Sequence, residues 1–501
     1  MVFIYRTFMR ILIFLVSLLL AMQSCNFFSG KSEDKCEIGL IEMKSISDNA
    51  LKININVTTS EGTDAYIRYW KFLDKEEKDS IIFYSPISKN SNQHKLTLVD
   101  LNLDTKYFFN VIAQKKQQRK ISKKYHFKTS VKIPWVPYFR NIDSLANVSF
   151  EGYLHFHSRQ VPGYLFMING TGELVSYQKN DQNFKVSKWT KNETMLGILS
   201  NDTLQFTSGN KIIEYDKFGN VLFEVESGKN GIDKIFHHEV DLDKNGNIFT
   251  LVYDERIMDL SSAGGIKKDT VKGDGILVLN HKGEKVWEWS VFDVMNPLED
   301  KKILKTKKDW LHANSLFQDN RGNYIISFRN TGQLWKINGQ TGKLIWKLGG
   351  LDSDFEMPDE AVFSGQHNVR LNENNELVLL DNGNLRFKPG HKQNSGKSKI
   401  LDVNRKAISR LLTLSIDTIN MKVIPLKIVN FPKKYFTHSQ GSAEYINDNL
   451  VVFCSTNTNR LVFTNNKGDL LGIIPLEYST YRAQYIKTLY DTSYAKELLS
   501  N

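Results

Sequence analysis

The chain has 501 residues, 41% hydrophobic, 12% aromatic and 24% charged, a globular composition that excludes a disordered or fibrous protein. Lys+Arg minus Asp+Glu is 66 − 55 = +11, a mild excess that favours anionic substrates or a membrane surface and lacks the dense basic patch of a nucleic-acid reader. The three cysteines, Cys25, Cys36 and Cys454, exclude a disulfide scaffold and a thiolate zinc knuckle.

At the N-terminus, Arg6 and Arg10 precede the apolar run Ile11-Leu-Ile-Phe-Leu-Val-Ser-Leu-Leu-Leu-Ala21. A basic start, a short apolar run and small residues ahead of a cleavage site are the parts of a secretory signal. Ala21-Met-Gln-Ser-Cys25 resembles a bacterial lipoprotein box, which implies acylation of Cys25; ordinary cleavage near Ser24 is the alternative. Residues 1–25 are therefore expected to be a lipoprotein-type signal peptide and 26–36 a polar tether. The protein is expected to be exported to the periplasm or cell envelope and anchored there by lipid. No second apolar stretch approaches the ~18 residues of a membrane span.

Residues 37–131 read as a small antiparallel β-sandwich. Leu51-Lys-Ile-Asn-Ile-Asn-Val57 alternates apolar with polar and Ala65-Tyr-Ile-Arg-Tyr-Trp70 is aromatic-rich, with a polar turn expected between them. Leu98-Val-Asp-Leu-Asn-Leu-Asp-Thr-Lys-Tyr107 resembles the fibronectin type III pattern, in which Leu101 precedes a turn and the Tyr107 hydroxyl caps the corner.

After Pro134-Trp-Val-Pro137 the texture changes. An Asx-rich turn with glycine, followed by an apolar strand, recurs in Ile168–Val175, Tyr215–Leu222, Leu242–Phe249, Leu279–Val286, Gln318–Ile325, Ile337–Leu344 and Phe463–Leu470. Tight hairpins need the positive φ that glycine supplies. Repeats at ~35–50 residues are the mark of propeller blades. Residues 135–492 are thus expected to form a β-propeller of about six blades, and the chain to be all-β; a pair of β-sandwiches is the competing reading.

Four short histidine segments stand at matching places in this region: Phe236-His-His-Glu-Val-Asp241, Asp309-Trp-Leu-His-Ala-Asn-Ser315, Phe363-Ser-Gly-Gln-His-Asn-Val-Arg370 and Tyr435-Phe-Thr-His-Ser-Gln-Gly-Ser442. Each leads into a blade hairpin. Equivalent strands of a propeller line its axis, so these imidazoles are expected to converge, with Arg329 one strand beyond His312. Imidazoles beside a guanidinium suit transfer of an anionic group: one histidine attacks while the others balance charge on the oxygens. The same imidazoles suit a transition metal, but Arg329 would repel a dication, and no metal is expected. Histidines that merely cap blade strands are the plain structural alternative.

At these residues the sequence resembles the bacterial arylsulfate sulfotransferases, which pass sulfate between phenols without a nucleotide. The likeness runs through His312-Ala-Asn-Ser315, Ser327-Phe-Arg-Asn-Thr-Gly-Gln-Leu-Trp335, Ile345-Trp-Lys-Leu-Gly-Gly350, Phe363–Val369, Leu380-Asp-Asn-Gly383 and Tyr481-Arg-Ala483. It implies a six-bladed propeller preceded by a β-sandwich, and a ping-pong reaction in which His367 becomes a sulfohistidine. His312, Arg329 and His238 (or its neighbour His237) would hold the sulfuryl oxygens and assist the leaving phenol. His438 is implied as a further residue lining the site. A phenolic sulfate donor and a phenolic acceptor are the expected partners, with no nucleic acid and no cofactor; sandwich domains of relatives mediate subunit contacts, which is compatible with a homodimer. Trp310 and Trp335 are expected either to stack on the phenols or to sit in the core. A non-catalytic surface propeller that binds a glycan or a protein, an aryl sulfate hydrolase, and a metallo-lyase are the rival readings.

Overall fold

The computed structural model describes residues 36–46, 49–130, 148–201, 204, 207–384, 386–388, 399–400 and 408–489. The expected signal peptide with Cys25, the expected tether as far as residue 35 and the Pro134–Pro137 segment lie outside the described residues. Within them the chain is all-β; its single α-helix is the four-residue Ile303–Thr306. No described helix is long and apolar enough to cross a membrane.

Ile53–Leu98 and Lys106–Lys128 belong to one compact unit, and Val99–Thr105 with the described residues after 129 to another. The first contains most of a seven-stranded sheet organised by one 24-residue strand, Asn49–Phe72. Its first part pairs with Ser88–Leu98, in register Ile53↔Leu98 to Thr58↔Gln93. Its later part pairs with Lys106–Lys115 on one edge and Ser80–Tyr84 on the other. The polar turn expected between residues 57 and 65 does not form. The stretch stays extended, and register shifts at Thr58/Thr63 and Thr63/Ala65 absorb its polar residues as bulges. Tyr107 is fully buried there, stacked on Phe127 at 5.4 Å.

The second unit contains a six-bladed β-propeller, five four-stranded antiparallel sheets and one of five strands. The blades begin at Tyr153, Asn183, Phe236, Ala313, His367 and Ser442. In blades two to six the first strand is innermost, and innermost strands touch in turn around the ring. Blade one differs. Its innermost strand is Ala483–Ile486 from the far end of the chain, paired antiparallel with Tyr153–Ser158. The ring is therefore closed by hydrogen bonds between its two ends, which leaves no open sheet edge at the seam.

The hairpin motif works as the turn chemistry requires. Gly172, Gly219, Gly246, Gly283, Gly322, Gly342 and Gly468 all have φ between +70° and +90°. In each copy the leading Asn or Asp carboxamide or carboxylate accepts backbone N–H bonds from two residues of the turn, as Asp243 Oδ1 does from Asn245 and Asn247 at 2.8 Å. An eighth turn does the same with Asn372 as acceptor and Asn375 (φ 59°) in the glycine's place. These turns join first to second or third to fourth strands, so they lie at the opposite blade end from the residues that begin the inner strands.

Trp310 and Trp335 are each 1% exposed within the core shared by blades three and four. Their indole N–H groups donate to Asp300 and Gln333. They are core residues; stacking on a phenol is excluded by burial.

Candidate active site

The inner strands of blades three, four and five start in one way. Each has a register shift at its histidine: between His237 and Val240, Ala313 and Ser315, and His367 and Arg370. Each also holds a non-glycine residue in the left-handed region, His238 (φ 57°), His312 (φ 59°) and Asn368 (φ 50°). Such backbone costs of order 1–3 kcal/mol per residue and persists where the surroundings enforce it. The bulge and the left-handed turn re-aim side chains that a regular strand would place elsewhere. Gln440 (φ 62°) occupies the matching place before blade six.

The side chains meet. The His238 and His312 rings are 5.0 Å apart, edge to face, and Tyr481 lies 6.0 Å from His238 and 6.4 Å from His367. Arg329 joins through its backbone, donating from N–H to the His312 carbonyl at 2.9 Å. Its guanidinium contributes to lowering the proton affinity of His367, and its Nε is buried with no hydrogen bond. His237 is also buried, but it stacks on Tyr253 at 4.1 Å, and His238 is the neighbour that faces His312. His438 is exposed, and its side chain makes no hydrogen bond or ring contact among the described residues; its carbonyl accepts from Asn384 Nδ2 at 2.8 Å.

His367 is the most constrained of these groups. Gln440 N–H donates to its Nε2 at 3.1 Å, so Nε2 is unprotonated and Nδ1 carries the hydrogen. Nδ1 is 2.8 Å from both the Gly365 carbonyl and Asn382 Oδ1. The Asn382 amide is oriented in turn, because its Nδ2 donates to the Thr437 and Gln440 carbonyls at 2.9 Å. Asp381, fully buried, fixes the strand end that carries Asn382. It accepts from Ser364 and Gly383 N–H at 2.9 Å and from Arg386 and Arg410 Nε at 2.7 Å. Gly383 must be glycine: its φ is +75°, and a Cβ would lie 2.1 Å from the Ile408 carbonyl oxygen. Burial, assisted by the Arg329 charge, pushes His367 down to about 3 against its hydrogen bond to Asn382. Its ring is neutral, with the lone pair on Nε2.

His312 Nδ1 lies 2.6 Å from Asp309 Oδ2. Burial alone would raise Asp309, but the hydrogen bond and charge of His312 outweigh it and hold the carboxyl below its ordinary range. Beneath the histidines, Arg482 is bonded to Glu239 Oε2 at 2.5 Å and to the Asn314 carbonyl at 2.8 Å. The Tyr481 ring is held between Arg482 (4.6 Å) and Arg159 (5.3 Å), and Arg159 donates to Gln440 Oε1 at 2.6 Å. Among the described residues no cluster of His, Cys, Asp or Glu is arranged to hold a metal ion.

Asn382, Gln440, Tyr481, Arg482, Arg159 and Asp309 were given no role by the sequence reading. Asn382 and the Tyr481-Arg482 pair stand inside segments that carry the family likeness, which was their only signal. His155 and His157 were also passed over; both are buried, and burial pushes His155 down to about 4. Folding thus opposes protonation of His155. Stability present above pH 6.5 is lost as the pH falls toward 4, because the unfolded chain takes up a proton that the folded one refuses. His155→Phe is expected to spare roughly 2 kcal/mol of the loss between pH 7 and 5, read by urea unfolding at the two pH values. An unchanged pH slope in the variant would dismiss this account.

The family model described as Arylsulfotransferase (ASST) matches residues 112–480. No curated protein matches the chain. Among solved structures, a protein of unknown function from Bacteroides caccae aligns with TM-score 0.40 and 11% identity, over 68% of this chain and 100% of that one. Virginiamycin B lyase from Staphylococcus aureus aligns with TM-score 0.30 and 11% identity, over 58% and 84%. Apo AztD from Citrobacter koseri aligns with TM-score 0.35 and 10% identity, over 67% and 98%.

Proposed function

Because the chain belongs to the arylsulfotransferase family, we propose that it moves a sulfuryl group from a phenolic sulfate ester to an acceptor phenol through a covalent adduct on His367. The observation that carries this reading is the tautomer of His367, with Nδ1–H held by two oxygens and the lone pair left on Nε2. Nε2 attacks sulfur, the bond from sulfur to the aryl oxygen breaks, and the aryloxide leaves with the electron pair. The ring keeps its Nδ1 hydrogen and becomes cationic, so Asn382 Oδ1 and the Gly365 carbonyl bind it more strongly than the neutral ring. That is stabilisation gained on the way to the transition state. At rest the lone pair is covered by Gln440 N–H, and the substrate replaces that long bond.

Arg329 and His312 hold the sulfuryl oxygens, and His238 assists the departing aryl oxygen. Sulfuryl transfer resembles phosphoryl transfer in its loose transition state, where positioned cations matter more than nucleophile strength. A two-step exchange lets the two phenols use one site in succession, so a narrow axis need not hold both.

The remaining elements of the proposal rest on sequence. Cys25 carries a lipid anchor as the mature N-terminus after removal of the residues before it, the protein faces the periplasm or cell envelope, and the N-terminal unit is a fibronectin type III-like sandwich that supports a homodimer. The test of the activity is release of nitrophenol from 4-nitrophenyl sulfate by protein lacking residues 1–25. The expected result is release that depends on added phenol, with phenyl sulfate as the product. Phenol-independent release of free sulfate would instead make the protein a hydrolase, and no release from folded protein across several aryl sulfates would make it a binding module.

A further inference from the structure

Behind His238, away from His312, a row of buried groups runs into blade three. His238 Nε2 is 2.7 Å from Thr207 Oγ1. Its Nδ1 is 2.9 Å from His237 Nδ1, so one of these two nitrogens carries the hydrogen between them. His237 Nε2 is 3.6 Å from Asp274 Oδ1, beyond a hydrogen bond. His237 Nε2 and Asp274 Oδ2 are buried and make no well-formed hydrogen bond. His237, His238 and Asp274 are at most 6% exposed. Two adjacent imidazoles joined through like nitrogens, and ending at a buried carboxyl, are costly to build for structure alone.

We propose that Asp274 and His237 form a proton reservoir behind His238, which supplies the proton for the departing phenol in the first half-reaction and takes it back from the acceptor phenol in the second. This rests on the transferase reading above. At rest Asp274 is the carboxylic acid, His237 carries its hydrogen on Nδ1 and His238 on Nε2. As the bond from sulfur to the aryl oxygen breaks, the aryloxide takes the hydrogen of the Thr207 hydroxyl, and Thr207 Oγ1 takes the one on His238 Nε2. The His237 Nδ1 hydrogen passes to His238 Nδ1, and the Asp274 proton passes to His237 Nε2 as the 3.6 Å gap closes. The state between half-reactions is Asp274 carboxylate with both rings neutral in the opposite tautomers. The acceptor phenol then gives its proton to Thr207 Oγ1 as its oxygen attacks sulfur, and every hydrogen moves back one place. No proton is exchanged with solvent over the full cycle.

The surroundings suit such a store. Asp274 is faced by His237 from the inner strand, Tyr253 opposite it in register, Lys272 on its own strand, and Asp309, His312 and the Ala313 N–H from the next blade. Burial, with the Asp309 charge, pushes Asp274 up to about 7 against the pull of His312, Ala313 and Lys272. Burial pushes His237 down to about 3 and His238 well below its ordinary value. The imidazoles therefore pass hydrogen by changing tautomer, and the carboxyl is where the proton rests near neutral pH.

The experiment is kcat/KM of the donor for a series of substituted phenyl sulfates, in the wild type, Asp274→Asn and His237→Gln. This quantity reports the first half-reaction alone. A nitrophenolate leaves well unprotonated, whereas unsubstituted phenolate needs the proton. The expected result is a steeper dependence on leaving-group pKa in both variants, with the 4-nitrophenyl to phenyl ratio rising about 10²-fold. In the wild type, kcat/KM for phenyl sulfate is expected to fall above about pH 7, as Asp274 loses its proton, and this fall is absent from Asp274→Asn. An equal loss for every donor would mark His237 and Asp274 as structural and overturn the proposal, as would an unaltered ratio. Wild-type protein that transfers from no aryl sulfate would defeat the transferase reading itself.

Discussion

His367→Ala is expected to lower phenol-dependent release of nitrophenol by about 10⁴-fold or more, with the fold intact. Removing a nucleophile leaves only the acceleration that binding and charge balance supply. The loss should be nearly the same at pH 6 and pH 8, because the wild-type ring has a value near 3 and is neutral at both. Asn382→Leu tests the same point from behind. It removes the Oδ1 acceptor at 2.8 Å from Nδ1, frees the ring to place its hydrogen on Nε2, and should reduce turnover by a large factor while His367 is still present. A wrong tautomer at the histidine base of a serine protease costs ~10⁴ in rate. Added imidazole should restore part of the activity of His367→Gly and none of that of Asn382→Leu. Activity within tenfold of wild type in His367→Ala would remove this residue from the chemistry.

The second large effect is on stability. Arg482 is the partner of Glu239, and both side chains are under 10% exposed. Glu239 Oε1 has no hydrogen bond, so the guanidinium is the side-chain hydrogen-bond partner of that buried carboxylate, with the Lys188 charge nearby. Arg482→Met should destabilise the protein by about 3–5 kcal/mol, the cost of leaving a buried charge unpaired. Adding Glu239→Gln to Arg482→Met should recover much of that loss, because the pair is then absent from both sides. Urea unfolding of the two variants decides it: a loss below about 1 kcal/mol in Arg482→Met, or no recovery in the double variant, would show that the pair contributes little.

The propeller was legible because its turn chemistry is local. An Asn or Asp accepting two N–H bonds and a glycine at positive φ can be seen within six residues. The blade count was less so. Blades three and four carry two such hairpins each, and blade five carries two with Asn375 and Met421 in place of glycine. Copies therefore do not map one to one onto blades. In the N-terminal unit, polar residues between two apolar runs suggested a turn, but a bulged strand accommodates them equally well, with Thr59 and Thr63 buried against His94.

The convergence of His238, His312 and His367 was legible because they recur at one structural place. That repetition misled at blade six, where Gln440, two residues beyond His438, stands at the left-handed position and bonds His367. The groups that prepare the histidines were not legible. Asn382 is 15 residues from His367, Gln440 is 73, and Arg482 is 243 from Glu239. These partnerships arise from ring geometry, and no local pattern announces them.

The seam of the ring has a consequence for synthesis. Tyr481 and Arg482 lead into the strand that closes blade one, so the floor beneath the histidines is the last part of the propeller to emerge from the ribosome. Blades two to six and three of the four strands of blade one have been made before Glu239 meets its partner. A nascent or truncated chain ending before residue 480 therefore carries every histidine of the site and an unneutralised carboxylate beneath them. The floor of the candidate site is completed in a single event, when the ring shuts.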